Sequence, residues 1–177
     1  MLLSDEALRE RLLQGDLGAF DQLYARHGRA LYAFIYRHLG DASASEDVLH
    51  ETFMVMLRER DGGRAAESLR AWLYQVARNQ CLNRLRSRRR GQRALSAVED
   101  LPTATVVQPD AALEARQTAE RLQQAVAALP PGLAELYALR ARGLSYDELA
   151  QVLAVPVGTI KSRIHEMVRR LREEMTP

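Results

Sequence analysis

Trp72, Gln75, Asn79, Asn83, Arg86 and Arg90 recur at spacings of three and four through WLYQVARNQCLNRLRSRRR, residues 72 to 90. On a helix turning about 100° per residue they share a sector of roughly 80°. The stretch holds six arginines and no acid. An exposed aromatic ring beside a basic groove is how single-stranded nucleic acid is held, at about 1–3 kcal/mol per stacked base. Asparagine carries donor and acceptor on one amide and can read the edge of a base turned out of its stack. Like charges on successive turns repel by about 0.2–0.5 kcal/mol per pair, which a phosphate backbone would relieve. Two plainer readings compete: a solvated charged face, and a Trp72 half buried in the core.

A second pattern lies in LSYDELAQVLAVPVGTIKSRIHEMVRRLREE, from Leu144 onward. Ser145 and Glu148 form an S-x-x-E capping box, which predicts a helix from Tyr146 to about Leu153. Ala154-Val155-Pro156 makes a short turn. The next helix buries Val157, Ile160, Ile164, Val168 and Leu171 and leaves Thr159, Lys161, Ser162, Arg163, Glu166 and Arg170 outside. Two helices so joined make a helix-turn-helix, whose second helix enters the major groove by its N-terminal end. The dipole and free N–H groups there favour phosphate. An ordinary helical hairpin is the alternative.

Catalytic and metal chemistry find little support. Asp47-Val48-Leu49-His50 resembles half of a di-iron bundle site, but no second pair is evident among His27, His38 and His165. Cys81 is the single cysteine, so neither a disulfide nor a zinc cluster is expected. There is no phosphate-binding Gly-rich loop or nucleophile elbow. No metal, cofactor or enzyme activity is expected.

The elements that must position these residues are helical. Of 177 residues, 47% are apolar and 27% charged, enough for a folded core. The net charge of +2 hides seven arginines and no acid between residues 76 and 93, while Glu46, Asp47 and Glu51 cluster elsewhere. Such unevenness points to a local anionic partner. The start, MLLSDEALRE, lacks a basic leader, and no apolar run reaches the length of a membrane span, so a cytoplasmic protein without membrane insertion is expected.

A first helix is predicted from about Ser4 to Leu13. A second carries Phe20, Leu23, His27, Leu31, Ile35 and Leu39 on one stripe and ends at Gly40. Ser43 and Glu46 suggest a capping box for a third, with Val48, Thr52, Phe53 and Met56 inward, broken by Asp61-Gly62-Gly63. The fourth runs from about Glu67 to Arg89, with Leu69, Leu73, Val76, Ala77, Cys81 and Leu85 on its core face. Residues 111 to 129 give a fifth on Leu122, Val126 and Leu129, ended by Pro130-Pro131; a short sixth spans Leu133 to Arg142. Gly91, Pro102 and Pro109 mark residues 91–110 as a flexible linker, in which TATVV is too short to make a sheet. The expected fold is all-α: one small helical domain over 1–90 and a helix-turn-helix domain over 111–177.

These residues resemble the extracytoplasmic-function (ECF) group of bacterial RNA polymerase sigma factors. AFDQLYARHGRALYAFIYRHLGD, ASEDVLHETFMVML and AWLYQVARNQCLNRLRSRRR look like region two, and LPPGLAELYALRARGLSYDELAQVLAVPVGTIKSRI like region four. The resemblance implies a dissociable subunit that binds core RNA polymerase, selects promoters and helps open DNA. It implies that Asp47, Glu51, Thr52 and Phe53 dock on the beta-prime clamp helices, with the beta subunit also a partner. Trp72, Gln75, Asn79, Asn83, Arg86 and Arg90 would handle the minus-10 element, Asn79 at the position that captures a flipped base. Thr159, Lys161, Ser162 and Arg163 would read the minus-35 element, with Arg169 and Arg170 near phosphate. An anti-sigma factor is a further implied partner.

The chain departs from the family pattern at four places. His50 stands where Gln is frequent, Asn83 where Asp is common, Ala154 where the turn often has Gly, and HEMVRR where a more basic run is usual. A left-handed backbone at Ala154 costs about 1 kcal/mol more than at glycine. Glu166 either lowers non-specific affinity or changes sequence preference. The competing function is a stand-alone helix-turn-helix regulator, normally a dimer on a palindromic site, which leaves the N-terminal half without a role.

Overall fold

The computed structural model describes residues 3–58, 68–92 and 113–175. Among them are eight α-helices and no strand, and the chain divides into two compact units, residues 1–102 and 103–177. The expected linker, its TATVV segment, the Asp61-Gly62-Gly63 break and Glu67 lie outside the described residues, except that the fourth helix reaches Gln92.

The first unit contains α1 (Asp5–Leu13), α2 (Leu17–Leu39), α3 (Ala42–Arg58) and α4 (Leu69–Gln92). Its start follows the sequence: Ser4 Oγ accepts the Ala7 N–H at 3.1 Å, as an N-cap should. Helix α2 is the centre, packing against α1, α3 and α4. Its stripe of Leu23, Leu31, Ile35 and Leu39 is buried, and Gly40 ends it with a left-handed φ of 65°. His27 departs from the apolar role expected of it: Nε2 lies 2.7 Å from Asp5 Oδ2, and Arg26 reaches the same carboxylate at 3.0 Å, so the pair fastens α1 to α2.

Helix α3 begins earlier than a Ser43 capping box would have it. Directly after Gly40, Asp41 Oδ1 accepts the Ala44 N–H at 2.7 Å, and the helix starts at Ala42. Rings then fix α3 to α2: Phe53 meets Tyr24 at 4.8 Å and Phe20 at 5.9 Å between centroids. Phe34 on α2 meets Tyr74 on α4 edge-on at 5.1 Å. Such pairs add about 0.5–1.5 kcal/mol beyond their buried area. Ser68 caps α4, its Oγ accepting the Ala71 N–H at 3.3 Å. Leu69, Leu73, Ala77 and Cys81 are buried as expected, whereas Val76 and Leu85 are half-buried.

The second unit contains α5 (Leu113–Ala127), α6 (Pro131–Ala141), α7 (Tyr146–Leu153) and α8 (Val157–Met175). Pro131 does more than stop α5, since as the first residue of α6 its fixed φ suits a helix start. Helix α8 packs against α5, α6 and α7. Leu136, Leu139, Leu144, Leu149, Val152, Ile160 and Met167 form the core. Of the five apolar positions expected inside α8 only Ile160 is buried; Val157, Ile164, Val168 and Leu171 are half-buried, and Met167 takes the deep position.

Candidate nucleic-acid interface

Helix α4 changes environment along its length. From Ala71 to Tyr74 every residue is buried, and α4 packs against α1, α2 and α3. Trp72 is 6% exposed. It is therefore a core residue, and the exposed stacking platform read from the sequence is corrected. The rest of its sector emerges progressively: Gln75 is half-buried, while Asn79, Asn83, Arg86 and Arg90 are exposed. An accessible row of two amides and two guanidinium groups remains, suited to base edges and phosphates.

Arg84 is a residue that the sequence reading passed over. Its Nη1 and Nη2 lie 3.3 and 3.4 Å from Asp47 Oδ2, linking α4 to α3. Beside it, Asn83, Arg84, Ser87 and Arg88 face Leu39, Asp41 and Ala44 across a groove of about 530 Å³. Arg84 and Arg88 repeat at a spacing of four, a signal visible in the sequence, but their pairing with the α2–α3 corner was not.

On α3, Asp47 and Glu51 are exposed, 62% and 50% by side chain, and Glu51 faces Arg58 at 3.4 Å. Thr52 and Phe53 are buried at 0% and 2%. Thr52 Oγ1 donates to the Val48 carbonyl at 2.7 Å, which satisfies its hydroxyl inside the unit. Of the four residues expected to dock on polymerase, Asp47 and Glu51 are at the surface, whereas Thr52 and Phe53 lie in the core beneath them. His50 is exposed like Asp47, so the inward carboxylate and imidazole of a di-iron bundle are not formed. No group of metal-binding side chains occurs among the described residues.

In the second unit the capping box is complete: Glu148 N–H donates to Ser145 Oγ at 3.2 Å, and Ser145 N–H to Glu148 Oε2 at 2.8 Å. Ala154 ends α7 in the left-handed region, φ 53° and ψ 47°, its N–H directed at the carbonyls of Ala150 and Gln151. The turn forms with alanine in the place that glycine suits better. Pro156 then leads into α8, its carbonyl accepting the Thr159 N–H at 2.9 Å. Lys161, Ser162 and Arg163 are exposed and Thr159 is half-buried. Ser162 Oγ donates to its own helix, at 3.1 Å to Thr159 O and 3.3 Å to Gly158 O.

Arg169 and Arg170 are exposed but occupied. Arg169 reaches Glu166 at 2.8 Å and Glu173 at 2.6 Å, and Arg170 Nε reaches Glu166 at 2.5 Å. Hydrogen bonds from Arg170 and then Arg169 hold the Glu166 carboxyl below its usual range, and the bonds to Glu166 and Glu173 push the Arg169 guanidinium up. The phosphate contact expected of these two arginines meets an internal competitor.

Two helical units, one ending in a long basic helix and the other a helix-turn-helix, define a bipartite nucleic-acid-binding protein. The Sigma-70 region 2 family model matches residues 23–91, and the Sigma-70, region 4 model matches residues 119–171. The chain therefore belongs to the sigma-70 family of RNA polymerase sigma factors, in its ECF group. It is 30% identical to the RNA polymerase sigma-H factor of Pseudomonas aeruginosa, over 98% of this chain and 94% of that one. It is 29% identical to the ECF RNA polymerase sigma-E factor of Escherichia coli strain K12, over 99% and 96%. Among solved structures, the sigma factor RpoE from Bartonella quintana, crystallised with the anti-sigma factor NepR, is similar at a TM-score of 0.66 and 25% identity, covering 88% of this chain and 96% of that one. CnrH, solved with the cytosolic domain of CnrY, is similar at 0.63 and 25%, covering 96% and 95%.

Proposed function

We propose how this sigma factor, which directs RNA polymerase to specific promoters, divides the task between its units. The exposed acids Asp47 and Glu51 meet basic groups on the beta-prime clamp helices of core polymerase, with the beta subunit a further contact. Asn79, Asn83, Arg86 and Arg90 engage the minus-10 element as its strands separate, Asn79 taking the flipped base and the arginines the backbone; Trp72, buried, and Gln75, half-buried, set the position of that face. Thr159, Lys161, Ser162 and Arg163 at the start of α8 read the minus-35 element as duplex. Residues 1–90 and 111–177 act as the two binding domains and 91–110 as the tether between them.

The protein performs no catalysis of its own, works in the cytoplasm and is held inactive by an anti-sigma factor. The last point draws support from the two structural neighbours, both solved with partners, one of them named an anti-sigma factor. Among the described residues no helix is long and apolar enough to cross a membrane. The observation that carries the whole reading is the pair of separate basic faces, on α4 and at the start of α8, one in each sigma-family segment. A stand-alone regulator would use only the second.

The test is transcript initiation by sigma-free bacterial core polymerase on pooled promoter fragments from the source genome, with and without the protein. Transcripts that share one pair of upstream elements are expected and would reveal both elements. If the protein neither binds core polymerase nor changes where it initiates, the reading fails.

A further inference from the structure

The duplex-binding role of α8, on which this inference rests, gives Arg169 and Arg170 to phosphate, yet both guanidinium groups are already engaged. Glu166 Oε1 accepts from Arg170 Nε at 2.5 Å and from Arg169 Nη2 at 2.8 Å. Its Oε2 accepts from Arg169 Nη2 and Nε at 2.9 and 3.0 Å, and Glu173 accepts from Arg169 Nη1 at 2.6 Å. Two arginines and two glutamates sum to no net charge. Lys161 and Arg163, at the other end of the same helix, make no ion pair among the described residues.

The position of this network gives it a consequence. At about 100° and 1.5 Å per residue, Glu166 lies about 40° around the axis from Ser162 and about 6 Å beyond it. It thus shares the outward stripe of the base-reading residues. The arginine fork that grips a phosphate grips a carboxylate in the same way. Neutral pH leaves the network intact, since the carboxyl is held below its usual range by the bonds from Arg170 and Arg169. Each exposed pair of this kind contributes at most about 1 kcal/mol to folding.

We propose that Glu166 is an internal phosphate surrogate that keeps Arg169 and Arg170 off the DNA backbone and so lowers the sequence-independent affinity of the helix-turn-helix for duplex. Transfer of either arginine to phosphate would leave Glu166 facing the anionic backbone with fewer partners, and the exchange gains little. Promoter engagement then depends on the first unit and polymerase in addition to α8.

The experiment compares the full-length protein with Glu166→Gln, binding a duplex that carries the upstream element recovered by the initiation assay and a scrambled duplex of equal length, across a salt series. Release of Arg170 alone, or of Arg169 with it where the Glu173 pair also yields, would steepen the slope of log affinity against log salt by about 0.9–1.8, so that Glu166→Gln loses about 3.5- to 12-fold more affinity than wild type over a fourfold rise in salt. Both duplexes should gain equally, leaving their ratio unchanged. The double variant Arg169→Ala/Arg170→Ala should hardly alter the wild-type slope and should cancel the effect of Glu166→Gln. An unchanged slope in Glu166→Gln overturns the proposal. So does a changed ratio at constant slope, which would make Glu166 a base-reading residue, or a wild-type slope that already falls with the double variant. Absence of duplex binding by Glu166→Gln as well as by the wild type overturns it too, and the initiation assay then tells whether the sigma reading fails with it. Matching circular-dichroism melts exclude a folding defect.

Discussion

Ala154 offers a direct stability test of the helix-turn-helix. The perturbation is Ala154→Gly. The residue is exposed, so the lost methyl removes no core packing, and its backbone stands at φ 53°, ψ 47°. A left-handed conformation costs a non-glycine residue about 1–2 kcal/mol. Against that, glycine adds about 0.4–1 kcal/mol of chain entropy to the unfolded state. The mid-range difference leaves the variant more stable by about 0.8 kcal/mol. For a unit of this size that corresponds to a rise in Tm of about 3–6 °C. Differential scanning calorimetry on the full chain measures it, with Leu149→Ala, which opens a cavity in the second unit alone, identifying that unit's transition. An unchanged or lowered transition in Ala154→Gly would refute the strain argument.

Trp72 is the only tryptophan, so its intrinsic fluorescence reports its burial: native emission should lie to the blue and move red on unfolding, and solvent-like native emission would contradict the core placement. Trp72→Ala should destabilise the first unit by about 3–5 kcal/mol in a denaturant titration, where loss of a mere surface platform would leave the midpoint unmoved. Asn79→Ala should weaken promoter opening more than polymerase binding, and Glu51→Ala the reverse; permanganate footprinting and core-binding titrations separate the two, and equal loss of both in both variants rejects the division of labour. Lys161→Ala and Arg163→Ala should alter initiation on minus-35 variants selectively, and unchanged activity on every variant removes them from the reading face.

Much of the interface was legible because local rules dominate there. The S-x-x-E box at Ser145, the spacing of apolar residues through α2 and α8, and the acid-free run of arginines in α4 each depend on neighbours within a turn or two of helix. The same locality explains the misreadings. A helical wheel assigns one environment to each angle, so it placed Trp72 and Asn83 together, although Trp72 is buried in the core and Asn83, about three turns on, is exposed at the groove beside the α2–α3 corner. Ser43 looked like a cap because its partner residue is three positions on, but Asp41, placed by the reversal at Gly40, reached the free N–H first.

By itself, then, the sequence determined the all-helical class and the basic stretches of α4 and α8, since periodicity, capping and charge runs are properties of short segments, and its motifs carried the resemblance to the family. Tertiary structure decided which members of those faces meet solvent and which are already engaged. Thr52 and Phe53 sink beneath Asp47 and Glu51 because α3 lies against α2, and Arg84 finds Asp47 across α4 and α3, 37 residues apart. Arg169 and Arg170 are neutralised on their own helix, a local pairing that became visible only with side-chain geometry. The physical reason is that burial and ion pairing depend on distance in space, which a one-dimensional pattern samples only within a few turns.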